Sequence, residues 1–149
     1  MEWTPEQLKM HREAARLLEG IKNEAFSFVL ASLNEGIPVT ERDVVSLIRQ
    51  RFEENFLVAD PEVPIVAFGA SAAEPHYAAP VKGSKVITRG NVLLIDLWGK
   101  IDIEEAPSWY CAVLSASVVF VPACHSARSA AVSWEKMWWC TRMIESLSA

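Results

Sequence analysis

Glycine is scarce and unevenly placed, for all six glycines precede Lys100 and none follows it. A hairpin-rich sheet ordinarily needs glycine in its turns, so the last third of the chain does not read as a continuation of what comes before. Cysteine is equally sparse: Cys111, Cys124 and Cys140 lie far apart without a C-x-x-C spacing. That excludes a disulfide framework and a zinc finger and leaves free thiols. No cluster of Lys and Arg occurs and the net charge is −5, so no basic stripe is present to displace counterions from nucleic acid. No apolar run is long enough for a membrane span. Trp109 to Cys124 is uncharged, yet it is shorter than the roughly 20 residues a bilayer requires. With Pro122 near its end it reads as a sticky, β-prone segment. Charges in Met1-Glu-Trp-Thr-Pro-Glu-Gln-Leu-Lys9 stand where an export signal would need an apolar stretch, which makes the cytoplasm the expected location.

What is present is orderly over the first hundred residues. A chain of 149 residues, half of them apolar, suits one domain with one core. Thr4-Pro-Glu-Gln7 has the form of a capping box with proline at the first helical position. Leu8, Ala14, Ala15, Leu18, Ile21, Ala25, Phe28, Val29 and Leu33 then recur at helical spacing and predict a buried stripe on one long helix, ended by Gly36 and Pro38. Thr40 caps a second helix, with Glu41 and Asp43 in the first turn, where carboxylates favour the positive end of the macrodipole. Val44, Leu47, Ile48 and Phe52 form its apolar face. Beyond Pro61 the period changes. Ile65 to Phe68 and Val92 to Leu97 read as buried strands, the second entered through an Arg89-Gly90-Asn91 turn. The order helix, helix, strand, strand predicts an α+β layer fold. Residues 70 to 85 form a long loop carrying His76, of a length that marks either a functional or a disordered segment. Residues Ala130 to Leu147 are a further helix candidate.

Two residues carry potential chemistry. Asp96 stands within Leu94-Ile-Asp-Leu-Trp98, where an ionised carboxylate is costly to bury without a cation or donors. It fits either a strand-end aspartate that bonds amides of the next turn or a ligand for a hard or borderline metal. His76, between Pro75 and Tyr77, fits an ordinary surface histidine or a site residue.

Taken together, four features resemble the pita-bread metallopeptidases, the superfamily of methionine aminopeptidase, Xaa-Pro aminopeptidase, prolidase and creatinase, with the Xaa-Pro type most similar. They are the Arg12-Glu-Ala-Ala-Arg-Leu-Leu-Glu-Gly-Ile21 helix, the Gly36-Ile-Pro-Val-Thr-Glu41 helix start, the Ala73-Glu-Pro-His-Tyr77 loop and Gly90-Asn-Val-Leu-Leu-Ile-Asp-Leu-Trp-Gly99. The resemblance implies the N-terminal part of a pita-bread fold, with two long helices on an incomplete antiparallel sheet and an irregular C-terminal tail. Residues 1–100 would be the peptidase part and 101–149 a divergent tail. It implies a peptide substrate, often with proline second, cleaved by a hydroxide bound to two divalent ions such as Mn, Co or Zn. His76 would be the catalytic histidine at the scissile carbonyl and Asp96 the first metal-ligating aspartate.

The resemblance falters after Lys100. Where the family places a second aspartate, about eleven residues on, this chain has Pro107 in Glu105-Ala-Pro-Ser-Trp109. Asp102, Glu104 and Glu105 read as a solvated turn, while His125, Glu135 and Glu145 lack the family's surroundings. Two divalent ions about 3.5 Å apart repel by about 19 kcal/mol at an effective dielectric of about 20, and one aspartate cannot offset that. The expectation is therefore a truncated or frame-altered peptidase with an incomplete site. The alternatives are an interaction module that forms a homo-oligomer or binds a complementing chain, and an enzyme with a site rebuilt on Asp102 or Glu104.

Overall fold

The computed structural model of the chain describes residues 4–59, 64–74, 76–102 and 113–121. Helix α1 runs Pro5–Glu35 and begins with a reciprocal box: Thr4 Oγ1 accepts the Gln7 N–H at 3.2 Å and Gln7 Oε1 accepts the Thr4 N–H at 2.9 Å. Gly36, at φ 71°, closes the helix in the left-handed conformation, and its N–H returns to the Ser32 carbonyl. The buried stripe includes Ala14, Leu18, Ile21, Ala25 and Val29, as the apolar spacing predicts. It also takes in His11, Lys22 and Ser32, whose polar heads hide their place in the period. Lys22 keeps its ammonium paired with Glu19 at 2.6 Å while its stem lies against the core. Phe28 departs from expectation at 38% exposed, because it sits about 100° around the helix from Val29.

Helix α2, Glu41–Glu54, is also capped reciprocally, with Thr40 Oγ1 accepting the Asp43 N–H and Asp43 Oδ2 accepting the Thr40 N–H. Val44, Val45, Ile48 and Phe52 are its buried apolar residues. A two-residue strand β1, Leu57–Val58, follows, then β2, Ile65–Phe68, which runs into a short 3-10 helix, Gly69–Ala73. The expected loop from 70 thus opens as helix. Strand β3 spans Asn91–Ile101, longer than the apolar run suggested, and β4 spans Val113–Val121.

All pairing centres on β3, which is antiparallel to each of the other three strands. Strands β2 and β4 both pair with the stretch 93–96 and so lie on opposite sides of it. Strand β4 runs the length of β3, from Asn91 opposite Val121 to Gly99 opposite Val113, and falls inside the uncharged segment that reads as β-prone.

Along β3 the side chains alternate. Leu93, Ile95 and Leu97 are buried in one core with Leu18, Ala25, Ile48, Phe52, Val66 and Phe68. Full burial of a residue such as Leu18 or Ile48 stabilises by about 1.5–3 kcal/mol. Gly99 belongs to the same side, since a Cβ there would meet Phe52 and Leu18. Both helices therefore cover one face of the sheet. The intervening residues Val92, Leu94 and Asp96 are half-buried and project to the other face, while the half-buried Trp98 packs against the core. The Ala130 to Leu147 helix candidate lies outside the described residues.

Candidate functional site

Asp96 is not at a strand end. It is the sixth of the eleven residues of β3, because pairing with β4 continues to Gly99 and pairing with β1 takes over at Lys100 and Ile101. In register it stands between Ile65 of β2 and Ala116 of β4, neither of which carries a side-chain oxygen or nitrogen. Ile65 and Ala67 are buried but lie outside the helix-side core, so Asp96 shares its face with apolar neighbours. Its Oδ1 is buried with no hydrogen-bond partner among the described residues. The expected bonds to amides of a following turn are absent for that oxygen, since no turn follows at this point. Burial pushes the Asp96 carboxyl above the ordinary carboxylate range.

His76 occupies an exposed position beyond the 3-10 helix, in a left-handed backbone conformation at φ 57°. Phe68, which leads into that helix, is opposite Leu93, whereas Asp96 is opposite Ile65. The His76 loop thus departs from one end of the β2–β3 pair and Asp96 belongs to the other, three residues or roughly 10 Å along β3. Asp102 is six residues beyond Asp96 and exposed, its N–H bound to the Phe56 carbonyl at 2.7 Å. At strand rise that is about 20 Å, too far to share an ion with Asp96. Glu104, Glu105, His125, Glu135 and Glu145 lie outside the described residues.

The loop itself is organised by Glu41, which the sequence presents only as a first-turn acid. Its side chain is fully buried. Oε1 accepts the Phe68 N–H at 2.7 Å, and Oε2 accepts the Tyr77 hydroxyl at 2.9 Å and the Lys85 N–H at 3.4 Å. The carboxylate also sits at the N-terminal end of α2, where the macrodipole favours it. The Lys85 ammonium donates to Ser71 Oγ. Burial pushes the Tyr77 phenol above its ordinary value, and Glu41 adds to this. The only sequence signal for this hub was the position of Glu41 at the close of Gly36-Ile-Pro-Val-Thr-Glu41.

The described residues test poorly as a two-ion centre. They contain no group of three or more His, Cys, Asp or Glu side chains placed to hold a metal. The orphaned Oδ1 of Asp96 is a suitable donor, but its cross-strand neighbours add none. Nor, among the described residues, is any helix long and apolar enough to cross a membrane.

The described architecture is thus helices layered on one face of a small antiparallel sheet, with a histidine loop and an aspartate on its central strand. The sequence profile of metallopeptidase family M24 matches residues 9–128, through β4, and the chain belongs to that family. Members of this pita-bread family generally use divalent metals. A prolidase from Thermococcus sibiricus has a similar fold, with a TM-score of 0.55 and 21% identity over 80% of this chain. The chain spans 28% of that prolidase's length. No curated protein matches the chain.

Proposed function

We propose that the chain descends from aminopeptidases of the Xaa-Pro type and does not, in its present form, hydrolyse peptides. In this reading His76 and Asp96 are the surviving members of a dinuclear hydrolytic centre, residues 1–100 are the peptidase part, and the sequence from 101 has diverged through an altered reading frame, although the family profile extends to residue 128. A cytoplasmic location belongs to the same reading. The observation that carries the proposal is the Asp96 Oδ1, a buried carboxylate oxygen with no hydrogen-bond partner among the described residues and with Ile65 and Ala116 as its register neighbours. Family M24 membership supports the lineage. A two-ion cluster needs several carboxylates to balance its own repulsion, and no such set gathers around Asp96 among the described residues.

Calorimetric titration of the chain with Mn²⁺, Co²⁺ and Zn²⁺ tests this directly. The expected result is no stoichiometric binding of two ions and no release of the N-terminal residue from Xaa-Pro peptides. Tight uptake of two ions would overturn it. The frame alteration has its own test in the nucleotide sequence: another frame beyond codon 100 should restore an Ala-Asp-Ile-Thr-like motif.

A second reading is favoured by the half-buried pair Val92 and Leu94 on the sheet face away from the helices. There the chain would bind another chain, as one part of a split peptidase or as a homo-oligomer. A stable complex on size-exclusion chromatography with light scattering would favour it, and a monomer at all concentrations would remove it.

A further inference from the structure

We infer that Glu41 and Tyr77 are positioning residues that hold His76 in its left-handed backbone conformation. The functional meaning of that conformation rests on the reading of His76 as a site histidine; the conformational claim does not. Non-glycine residues at positive φ are uncommon, and they persist where their surroundings over-determine them. At His76 the surroundings do so from both sides. On one side, the Glu74 N–H caps the 3-10 helix by bonding the Ser71 carbonyl at 3.0 Å. On the other, Tyr77 is held through its hydroxyl by the fully buried Glu41, with the Lys85 ammonium 5.7 Å from its ring centroid. With residues 74 and 77 pinned, only two residues remain to join them.

The hydrogen bonds run in one direction. The Lys85 ammonium has only donors and the Glu41 carboxylate only acceptors. The directions are therefore fixed: the Lys85 ammonium donates to Ser71 Oγ, and the Tyr77 hydroxyl donates to Glu41 Oε2. Each of these two bonds has an ionised partner, which strengthens it. Glu41 in turn is anchored by two elements outside the loop: the Phe68 amide at the end of β2 and its own place in α2, whose N–H bonds the Lys85 carbonyl at 3.1 Å. The polar side chains that close the loop are thus referenced to the α2–β2 junction rather than to solvent.

The test uses the full chain, isotopically labelled, and the strong intraresidue contact between amide and Hα protons that a positive φ produces in Overhauser spectra. Wild-type His76 should show it. Tyr77→Phe removes one hydroxyl and keeps the ring, and in this variant the His76 contact should fall to the level of residues with ordinary negative φ. Glu41→Gln keeps the volume and an oxygen for the Phe68 amide but turns an amide nitrogen toward Tyr77. It should have the same effect, and it decides the matter if Tyr77→Phe does not fold. A lowered melting temperature with the His76 contact intact would mean a merely structural network and would overturn the inference. Metal titration of the same sample reports on the hydrolytic reading separately, and neither result moves the other.

Discussion

Arg51 of α2 reaches across to Glu24 of α1, with Nε 2.9 Å from both carboxylate oxygens and Nη2 2.7 Å from Oε1. Its Nη1 also binds Glu54 at 2.7 Å. This is the cross-helix polar clamp on the solvent side of the α1–α2 contact, and a planar guanidinium suits it better than an ammonium would.

Hydrogen bonding by Arg51, chiefly, holds the Glu24 carboxyl below its ordinary value, with burial acting in opposition. A carboxyl depressed in the folded state contributes stability above its unfolded pKa and loses it as pH falls through the folded one. Thermal unfolding from pH 7 into the acid range, below the ordinary Glu value of 4.5, should therefore show a decline that is shallower in Glu24→Gln. Because both side chains are partly exposed, the difference should also shrink at high salt. Identical acid profiles for the two proteins would contradict the clamp.

Removing the cap of α2 should cost more than its half-buried position suggests. Thr40 Oγ1 accepts the Asp43 N–H at 3.2 Å, donates to Asp43 Oδ2 at 2.7 Å, and the residue bridges to Val86. Thr40→Ala is expected to lower stability by about 1 kcal/mol, within the 0.5–2 kcal/mol range typical of caps. Urea unfolding monitored by far-UV circular dichroism would measure it. An unchanged midpoint would show that the bridge to Val86 alone fixes the helix start.

Much of this scaffold is written locally. Thr4, Gly36 and Thr40 mark their helix ends through short-range geometry that any four-residue window carries, and each is found at the expected end. The central strand was harder to read, because Val92 to Leu97 looks uniformly apolar around one aspartate. Its alternation appears only when burial separates Leu93, Ile95 and Leu97 from Val92, Leu94 and Asp96. Glu41 was illegible as a hub for a different reason. Its partners Phe68, Tyr77 and Lys85 lie 27 to 44 residues away, and a first-turn acid is ordinary in any helix. The candidate site has the same character: His76 and Asp96 are conspicuous in sequence, but the register that sets Asp96 opposite Ile65 depends on long-range pairing.

Two glycines give opposite expectations for one substitution. Gly20 lies within α1 with open space where a Cβ would stand, so Gly20→Ala should raise stability by about 1 kcal/mol through helix propensity and a restricted unfolded chain. At Gly99 the added Cβ would come 3.1 Å from the Val58 carbonyl oxygen and 3.4 Å from Phe52 Cε2. Backbone cannot yield cheaply there, and Gly99→Ala should cost about 1–3 kcal/mol. Chemical denaturation of both variants checks the pair, and equal signs would disprove the packing described around β1.

Asp96 offers the clearest conflict between stability and ancestry. Its Oδ1 is buried without a partner among the described residues, and burial raises its carboxyl. A group whose folded pKa is raised stabilises most when protonated, below its unfolded value, and that contribution is lost as pH rises through the folded pKa. In chelator-treated buffer at pH 7 the charged form therefore weighs against the fold. Asp96→Val, which suits the pleated surface and leaves no oxygen to satisfy, is expected to stabilise by about 1–3 kcal/mol. The gain should diminish on acidification toward pH 4, as the raised carboxyl takes up its proton, opposite in direction to the Glu24 effect. Thermal melts of both proteins at the two pH values would show it. Destabilisation by Asp96→Val at pH 7 would mean that the carboxylate has a compensating cation or donor set after all, and would reopen the case for a working metal centre in this chain.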